Sequence, residues 1–231
     1  MTGETNVNAA EQKAIRLIRP SVVVLCGPAA CGKSTFAAQH FRQTQIISSD
    51  HARALVCDDE RDQRYQTQAF ALVHFLIEQR LGLNRMCVVD STALTVQARK
   101  SLLEIARRNR VPAVMLVFNV PLNVCIERDA KRERTVGQPA IEHQHHLFEQ
   151  ARAGVKQEGF DQVIELCDVD LAKVRFDIAF RPVPRPATND HRLEPRRFPP
   201  RPQRPPTEAP SPARDATPPA APSGKPPGEA A

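Results

Sequence analysis

The sequence lacks any long apolar segment. No stretch among its 231 residues approaches the roughly 18 consecutive apolar residues that a membrane-spanning helix requires. The amino terminus also lacks the apolar core of a secretory signal peptide. We therefore expect a soluble, cytoplasmic protein that has no membrane partner.

The sequence also lacks cysteines in a metal-binding pattern. Its six cysteines are Cys26, Cys31, Cys57, Cys87, Cys125 and Cys167. They form no CxxC pair and show no Cys/His spacing typical of a zinc site. Several of them end apolar runs or lie within a glycine-rich segment instead. We therefore expect free thiols in a reducing compartment rather than a disulfide framework.

Proline is scarce at first and abundant near the end of the chain. Of the 21 prolines, 16 lie between Pro182 and Pro227, where apolar residues are few and not periodic. Such a segment cannot bury enough apolar surface to offset the entropy cost of ordering it. Residues 181–231 are therefore predicted to form a disordered tail or linker. This tail holds nine Lys/Arg against five Asp/Glu, so it supplies four of the net charge of +6.

Strand-like and helix-like patterns alternate before this tail. Buried parallel strands are predicted for the runs SVVVLC, QIISSD, MCVVD, AVMLVFNV and FDQVIEL. Three helical faces are predicted between them: Phe70, Val73, Ile77 and Leu81; Ala98, Leu102, Ile105 and Ala106; and Ile141, His145, Phe148 and Arg152. The alternation predicts an α/β fold, with a parallel sheet of about five strands and helices on both faces.

A glycine-rich motif follows the first of these predicted strands. Its residues are Gly27, Pro28, Ala29, Ala30, Cys31, Gly32, Lys33, Ser34 and Thr35. They match the pattern GxxxxGK[ST], in which backbone N–H groups and a helix amino terminus surround phosphates. Lys33 would reach the β- and γ-phosphates of ATP, and Ser34 would bind Mg²⁺. The motif predicts a nucleotide-binding phosphate loop in a P-loop NTPase or kinase fold.

Two further strand-like runs each end in an aspartate, Asp50 and Asp90. Ligands of parallel sheets bind at the carboxyl ends of the strands, which is also where the phosphate loop falls. Asp50 could accept a proton from an attacking hydroxyl, and Arg53, one helical turn later, could hold an anionic group of the acceptor. The alternative is that Asp50 caps a helix and Arg53 is a surface residue.

Several blocks together carry a resemblance to a known family. GPAACGKSTFA, ISSDHARALVCDDERDQ, CVVDST, ARKSLLEIA and VFNVPLNVCIERDAKRER occur in order. The segment from Ile18 to Leu166 resembles the kinase module of bacterial polynucleotide kinase-phosphatases. Those RNA-repair enzymes belong to the wider family that includes the phage polynucleotide kinase, among P-loop kinases of the AAA_33 and zeta-toxin-like group.

The resemblance implies roles for individual residues. Asp50 would be the general base that activates a 5′-hydroxyl, and Asp90 would support the Mg²⁺ or the phosphate loop. Arg53 and Gln63 would contact the acceptor strand near its terminal nucleotide, with Arg53 on the first phosphate. Two arginines of the run ERDAKRER, Arg128 and Arg134, would belong to a lid from about residue 131 to 138 that closes over the donor phosphates. The other charged residues of that run are expected at the surface.

The domain organisation differs from that of the repair enzymes. Nothing after Leu166 resembles their metallophosphatase or ligase-like domains, so we expect neither a 3′-phosphatase nor a nucleotidyltransferase activity. The predicted layout is an N-terminal extension over residues 1–17, a P-loop kinase domain over residues 18–180 and the proline-rich tail.

These observations predict an ATP-dependent, Mg²⁺-dependent kinase that phosphorylates the 5′-hydroxyl ends of RNA or DNA. Tail arginines are suited to nonspecific contacts with nucleic acid, and a homodimer is left open. A kinase of a small molecule, such as a sugar, an antibiotic or a nucleotide-sugar, is the alternative function. A nucleotide-binding module without catalysis is a third hypothesis, against which Lys33, Asp50 and Arg128 argue.

Overall fold

The computed structural model describes residues 13–184. Seven strands are present in this part of the chain: β1 (Lys13–Arg19), β2 (Val22–Cys26), β3 (Ile46–Ser48), β4 (Cys87–Asp90), β5 (Ala113–Asn119), β6 (Gln162–Cys167) and β7 (Val174–Phe180). Six α-helices accompany them: α1 (Lys33–His40), α2 (Ser49–Cys57), α3 (Gln66–Gly82), α4 (Val96–Arg108), α5 (Leu122–Ala130) and α6 (Gln138–Gly154).

Five of the strands form one parallel sheet in the order β3-β4-β2-β5-β6. They are the five strands predicted from the sequence, and their continuous apolar runs suit a sheet that is covered on both faces. The central strand β2 is completely buried. Because all five strands run the same way, the phosphate loop after β2 and the ends of β3 and β4 share one edge of the sheet.

Alternate residues of β2 enter two separate cores. Val22 and Val24 pack with one group of buried side chains whose helical members come mainly from α3 and α4. Val23 and Leu25 pack on the other face with a group that includes Phe36 of α1. Helix α6 contributes to both groups. The predicted α/β fold with helices on both faces is therefore confirmed.

The strands β1 and β7 were not predicted. They pair in parallel as a separate two-stranded sheet, and Ile15 and Leu17 of β1 join the core beside α1. Charged residues interrupt the apolar ones in KAIRLIR and VRFDIAF, so neither run has the apolar continuity of the central strands. Strand β1 begins at Lys13, within the segment predicted as an N-terminal extension.

Most of the predicted proline-rich tail lies outside the described residues. Its first residues contact the body of the protein: the N–H of Arg181 donates to the carbonyl of Arg19, and the N–H of Val183 donates to Asn84. The six cysteines form no disulfide. No helix in the described range has the length and apolar character needed to cross a membrane.

A buried arginine fixes the loop that follows β4. Arg99 of α4 is only 1% exposed, and it donates to the carbonyl oxygens of Ala93 and Leu94 at 2.9 and 2.8 Å. Its other nitrogens form a bidentate pair with Glu158, at 2.8 and 2.5 Å. The same loop accepts a hydrogen bond from Gly27 N–H at the carbonyl of Thr92. Arg99 therefore connects the loop beside the phosphate motif to the segment between α6 and β6.

We expect Arg99→Ala to lower the free energy of unfolding by about 3–5 kcal/mol, because it leaves Glu158 and two carbonyl groups without their partner. Urea denaturation measures this change. Glu78→Gln is the matched control, since Glu78 pairs with Arg108 at an exposed site and its loss should cost at most about 1 kcal/mol. Equal effects of the two substitutions would contradict a special role for Arg99.

Candidate active site

A cleft of about 740 Å³ opens at the carboxyl edge of the sheet. The predicted site residues that line it are Ala29, Ala30, Gly32, Lys33, Ser34, Asp50, Arg53, Gln63, Asp90 and Arg134. Five others are not among the lining residues: Gly27, Pro28, Cys31, Thr35 and Arg128. The structure thus brings the phosphate loop, Asp50, Asp90 and part of the predicted lid to one cavity.

The phosphate loop has the backbone geometry that its glycines permit. Gly32 has φ of 97°, a left-handed conformation that favours glycine, and it directly precedes α1. At Gly27 the constraint is space instead. A Cβ there would lie 2.8 Å from the Sγ of Cys31 and 3.1 Å from the Cβ of Phe118. The loop therefore packs against β5 only because residue 27 has no side chain.

The side chain of Lys33 packs against the phosphate loop. Its ammonium group donates to the carbonyl oxygens of Gly27 and Pro28 at 2.9 and 2.6 Å, and it lies 3.6 Å from the Sγ of Cys31. The side chain is buried, yet Lys33 still lines the cleft. This arrangement places a positive charge at the base of the cavity, where the phosphate motif requires it.

Asp90 lies beside Ser34 of the phosphate loop. Burial raises the pKa of the Asp90 carboxyl above its usual range, while the Ser34 hydroxyl and the positive charge of Lys33 act in the opposite direction. The nearby Asp50 carboxylate adds to the increase. A hydroxyl and a carboxylate side by side match the oxygen ligands of Mg²⁺, which uses few protein ligands when phosphates supply the others. Among residues 13–184 no cluster of three or more His, Cys, Asp or Glu could hold a metal.

Asp50 is not the helix cap that the alternative interpretation proposed. The residue that caps α2 is Ser48, whose side chain accepts a hydrogen bond from the N–H of His51. Asp50 lies in the first turn of α2 instead, with its side chain 56% exposed. Its carboxylate is therefore not used for capping and faces the same cavity as Lys33.

Arg53 is almost completely enclosed, which excludes the alternative of a surface residue. Its side chain is only 3% exposed, and one terminal nitrogen donates to Asp50 at 2.8 Å and to the carbonyl of Glu60 at 2.6 Å. The other terminal nitrogen donates to Gln66 at 2.6 Å. The Nε atom is buried and has no partner within the protein. Arg53 thus holds Asp50 in place.

The predicted lid connects α5 to α6. Buried Asp129 anchors it, because its carboxylate accepts hydrogen bonds from the N–H groups of Val136 and Gly137 at 2.9–3.0 Å. Arg134 forms an ion pair with Glu60, whose carbonyl accepts a hydrogen bond from Arg53. The predicted lid arginine therefore contacts the segment that also holds Arg53.

Arg128 lies outside the lid segment, in the last turn of α5. It pairs with Asp168 at 2.7 Å, and one of its terminal nitrogens lies 3.9 Å from the position of a Cβ at Gly32. Arg128 is therefore next to the phosphate loop, although it does not line the cleft. Its side chain is 39% exposed, so the pair with Asp168 is accessible to solvent.

Several lining residues were not identified from the sequence: Arg61, Gln66, Phe70, Arg132 and Gln144. Gln144 accepts a hydrogen bond from the N–H of Ala29 at 2.7 Å, across 115 residues of chain. Arg132 was expected to be a surface residue, and it is exposed but faces the cavity. Phe70 was assigned to the buried face of α3, whereas that face consists of Ala69, Val73, Ile77 and Leu81.

The parallel sheet, the phosphate loop and the cleft above it together define a P-loop kinase fold. Residues 22–157, more than half of the chain, match the family model AAA_33, described as an AAA domain. The protein therefore belongs to the AAA_33 family. No curated protein matches the chain in sequence.

Solved structures share this fold at low sequence identity. The RNA repair complex Pnkp1/Rnl/Hen1 matches with a TM-score of 0.52 and 18% identity, over 58% of this chain and 46% of that chain. A gluconokinase from Sinorhizobium meliloti 1021 matches with a TM-score of 0.45 and 18% identity, over 66% of this chain and 86% of that chain. Kti12 from Chaetomium thermophilum, in complex with ADP-AlF3, matches with a TM-score of 0.48 and 16% identity, over 63% of this chain and 88% of that chain. At this identity the similarity to the RNA repair complex shows the fold alone.

We expect Asp90→Asn to raise the melting temperature at neutral pH, because it removes a charge that burial disfavours. Below the ordinary aspartate pKa, residue 90 is protonated in both the folded and the unfolded wild type, so the two proteins should melt alike. As the pH rises, the unfolded chain ionises first, and the wild type loses stability relative to the variant until the raised pKa is passed.

Thermal melts of both proteins across this pH range test the prediction. An Asn variant that melts lower than the wild type at neutral pH would show that the Asp90 charge is stabilising, which contradicts the prediction.

Proposed function

We propose that the protein is an ATP-dependent polynucleotide 5′-hydroxyl kinase. The observation that carries this proposal is the placement of Asp50. Its half-exposed carboxylate faces the cavity lined by Lys33 and Ser34 of the phosphate loop, and the buried Arg53 fixes its orientation. A carboxylate in this position can accept a proton from an alcohol that attacks a bound nucleotide.

The proposed reaction transfers the γ-phosphoryl group of ATP. The acceptor's 5′-oxygen forms a bond to the γ-phosphorus as its proton passes to Asp50, and the bond between that phosphorus and the β–γ bridging oxygen breaks to release ADP. Lys33 and the lid residue Arg134 stabilise negative charge on the transferring group. Ser34 and Asp90 would hold Mg²⁺, which neutralises charge on the donor phosphates.

The charge of the cleft supports a polyanionic acceptor. Among the described residues that line the cleft, five are basic and three are acidic. The basic ones are Lys33, Arg53, Arg61, Arg132 and Arg134, and the acidic ones are Asp50, Asp90 and Glu133. Arg61 and Arg132 are exposed, so both can approach phosphates of a nucleic acid strand. Gln63 is also exposed at the same cavity, and the resemblance to polynucleotide kinases implies that it contacts the acceptor strand.

A small-molecule kinase is the second candidate, and the hydrogen bonds that Arg53 already donates within the protein favour it. Three of the hydrogen bonds that its terminal nitrogens can donate already go to protein oxygens. What remains for a phosphodiester is the buried Nε–H and one further N–H of the guanidinium. A sugar or another neutral alcohol would need no such contact.

Phosphate transfer from radiolabelled ATP distinguishes the two candidates. We expect the full chain with Mg²⁺ to label an oligonucleotide that has a 5′-hydroxyl, and not the same oligonucleotide with a 5′-phosphate. Gluconate and other sugars serve as competing acceptors. Labelling of a sugar but of neither oligonucleotide would overturn the proposal in favour of the small-molecule candidate.

We expect Asp50→Asn to lower kcat by about 10²–10⁴-fold, because the amide cannot accept the acceptor's proton. Its oxygen can still accept the hydrogen bond from Arg53, so ATP binding should be close to that of the wild type. The melting temperature should fall, because the buried guanidinium loses its paired carboxylate. Turnover and ATP affinity are measured in parallel.

The matched control for this substitution is Asp58→Asn. Asp58 is exposed at the end of the same helix, in a left-handed conformation that asparagine tolerates well. The turnover of the Asp58→Asn variant should therefore equal that of the wild type. Wild-type turnover in Asp50→Asn would rule out Asp50 as the general base.

A further inference from the structure

One side chain that lines the cleft is aromatic, unlike the others. The described lining residues are mostly charged or polar, and Phe70 is the only aromatic residue among them. The buried stripe of α3 runs through Ala69, Val73 and Ile77, and Phe70 lies beside that stripe at the cavity. It is half-buried, and its ring is 6.1 Å from that of His74. The core of α3 therefore does not require an aromatic ring at this position.

Phe70 is on the acceptor side of the cleft. It lies one helical turn after Gln66, so their Cβ atoms are about 5–6 Å apart. Gln66 accepts from one terminal nitrogen of Arg53, while Asp50 accepts from the other. A single guanidinium thus bridges the proposed general base and the helix turn that precedes Phe70. Phe70 and Asp50 line the same cleft, and Phe70 is one helical turn from a residue that shares the Arg53 guanidinium with the Asp50 carboxylate.

We propose that Phe70 is the stacking surface for the nucleobase of the acceptor's 5′-terminal nucleotide. This inference rests on the proposed function. With the 5′-hydroxyl at Asp50, the base of the same nucleotide reaches toward α3, where the phenyl face offers apolar contact that the polar residues around it cannot. Stacking on an aromatic side chain tolerates every base, so the contact recognises a nucleotide without specifying its sequence.

The experiment pairs substitutions of Phe70 with removal of the base. The acceptors are a 5′-hydroxyl oligonucleotide and the same oligonucleotide with an abasic 5′-terminal residue. We expect Phe70→Ala to lower kcat/KM for the intact acceptor by about 5- to 150-fold, the range for losing one stacked base. The loss should appear mainly in KM, because Phe70 does not contact the reacting atoms.

The abasic acceptor separates stacking from a structural role. The wild type should lose a similar factor with it, and Phe70→Ala should then cause little further loss, because the two changes remove the same contact. Phe70→Tyr, which keeps the aromatic face, should retain most of the activity. Phe75→Ala is the matched control, since Phe75 is 59% exposed on the same helix and does not line the cleft.

Three results would overturn the inference. If Phe70→Ala reduces activity equally with both acceptors, Phe70 acts on the structure of the site rather than on the base. If oligonucleotides are phosphorylated and Phe70→Ala has no effect, the stacking contact does not exist, while the proposed function stands. If the wild type labels no oligonucleotide, the proposed function is wrong and the inference falls with it.

Discussion

The side of the cleft formed by α2 and α3 depends on the buried guanidinium of Arg53. A charged group removed from water is costly unless it is paired and hydrogen-bonded. Its partners come from three consecutive segments: Asp50 in α2, the carbonyl of Glu60 in the following loop, and Gln66 in α3. Each of the three segments is therefore hydrogen-bonded to the same guanidinium group. Glu60 extends this network to the lid, because its carboxylate pairs with Arg134.

The sequence patterns predicted the central sheet well and the peripheral one not at all. A strand such as β2 is buried on both faces, so its apolar character is continuous and visible without tertiary information. Strands β1 and β7 each bury part of one face, and charged residues interrupt their runs. Their parallel pairing joins residues about 160 positions apart, for example Lys13 with Val174. No local pattern contains that information.

The candidate site shows the same division between local and distant signals. The phosphate loop is a contiguous motif, and its position after β2 could be predicted from its residues. The surroundings of Asp50 could not, because Ser48 and Asp50 are both suitable caps and the spacing alone does not choose between them. Likewise, a shift of one residue along α3 decides whether Phe70 or Ala69 faces the core. Packing against α2 and the sheet decides that question.

The cations of the site differ in how readily they can change partners. Arg134 and Arg128 are 36% and 39% exposed, and each is paired with a carboxylate that is also partly exposed. Ion pairs of this kind are worth about 0–1 kcal/mol, so a nucleotide phosphate can replace the carboxylate at little cost. Arg53 is enclosed, and separating it from Asp50 would leave a buried charge uncompensated. In the proposed reaction, ATP binding would therefore change the partners of Arg128 and Arg134, while the Arg53–Asp50 pair would stay as it is.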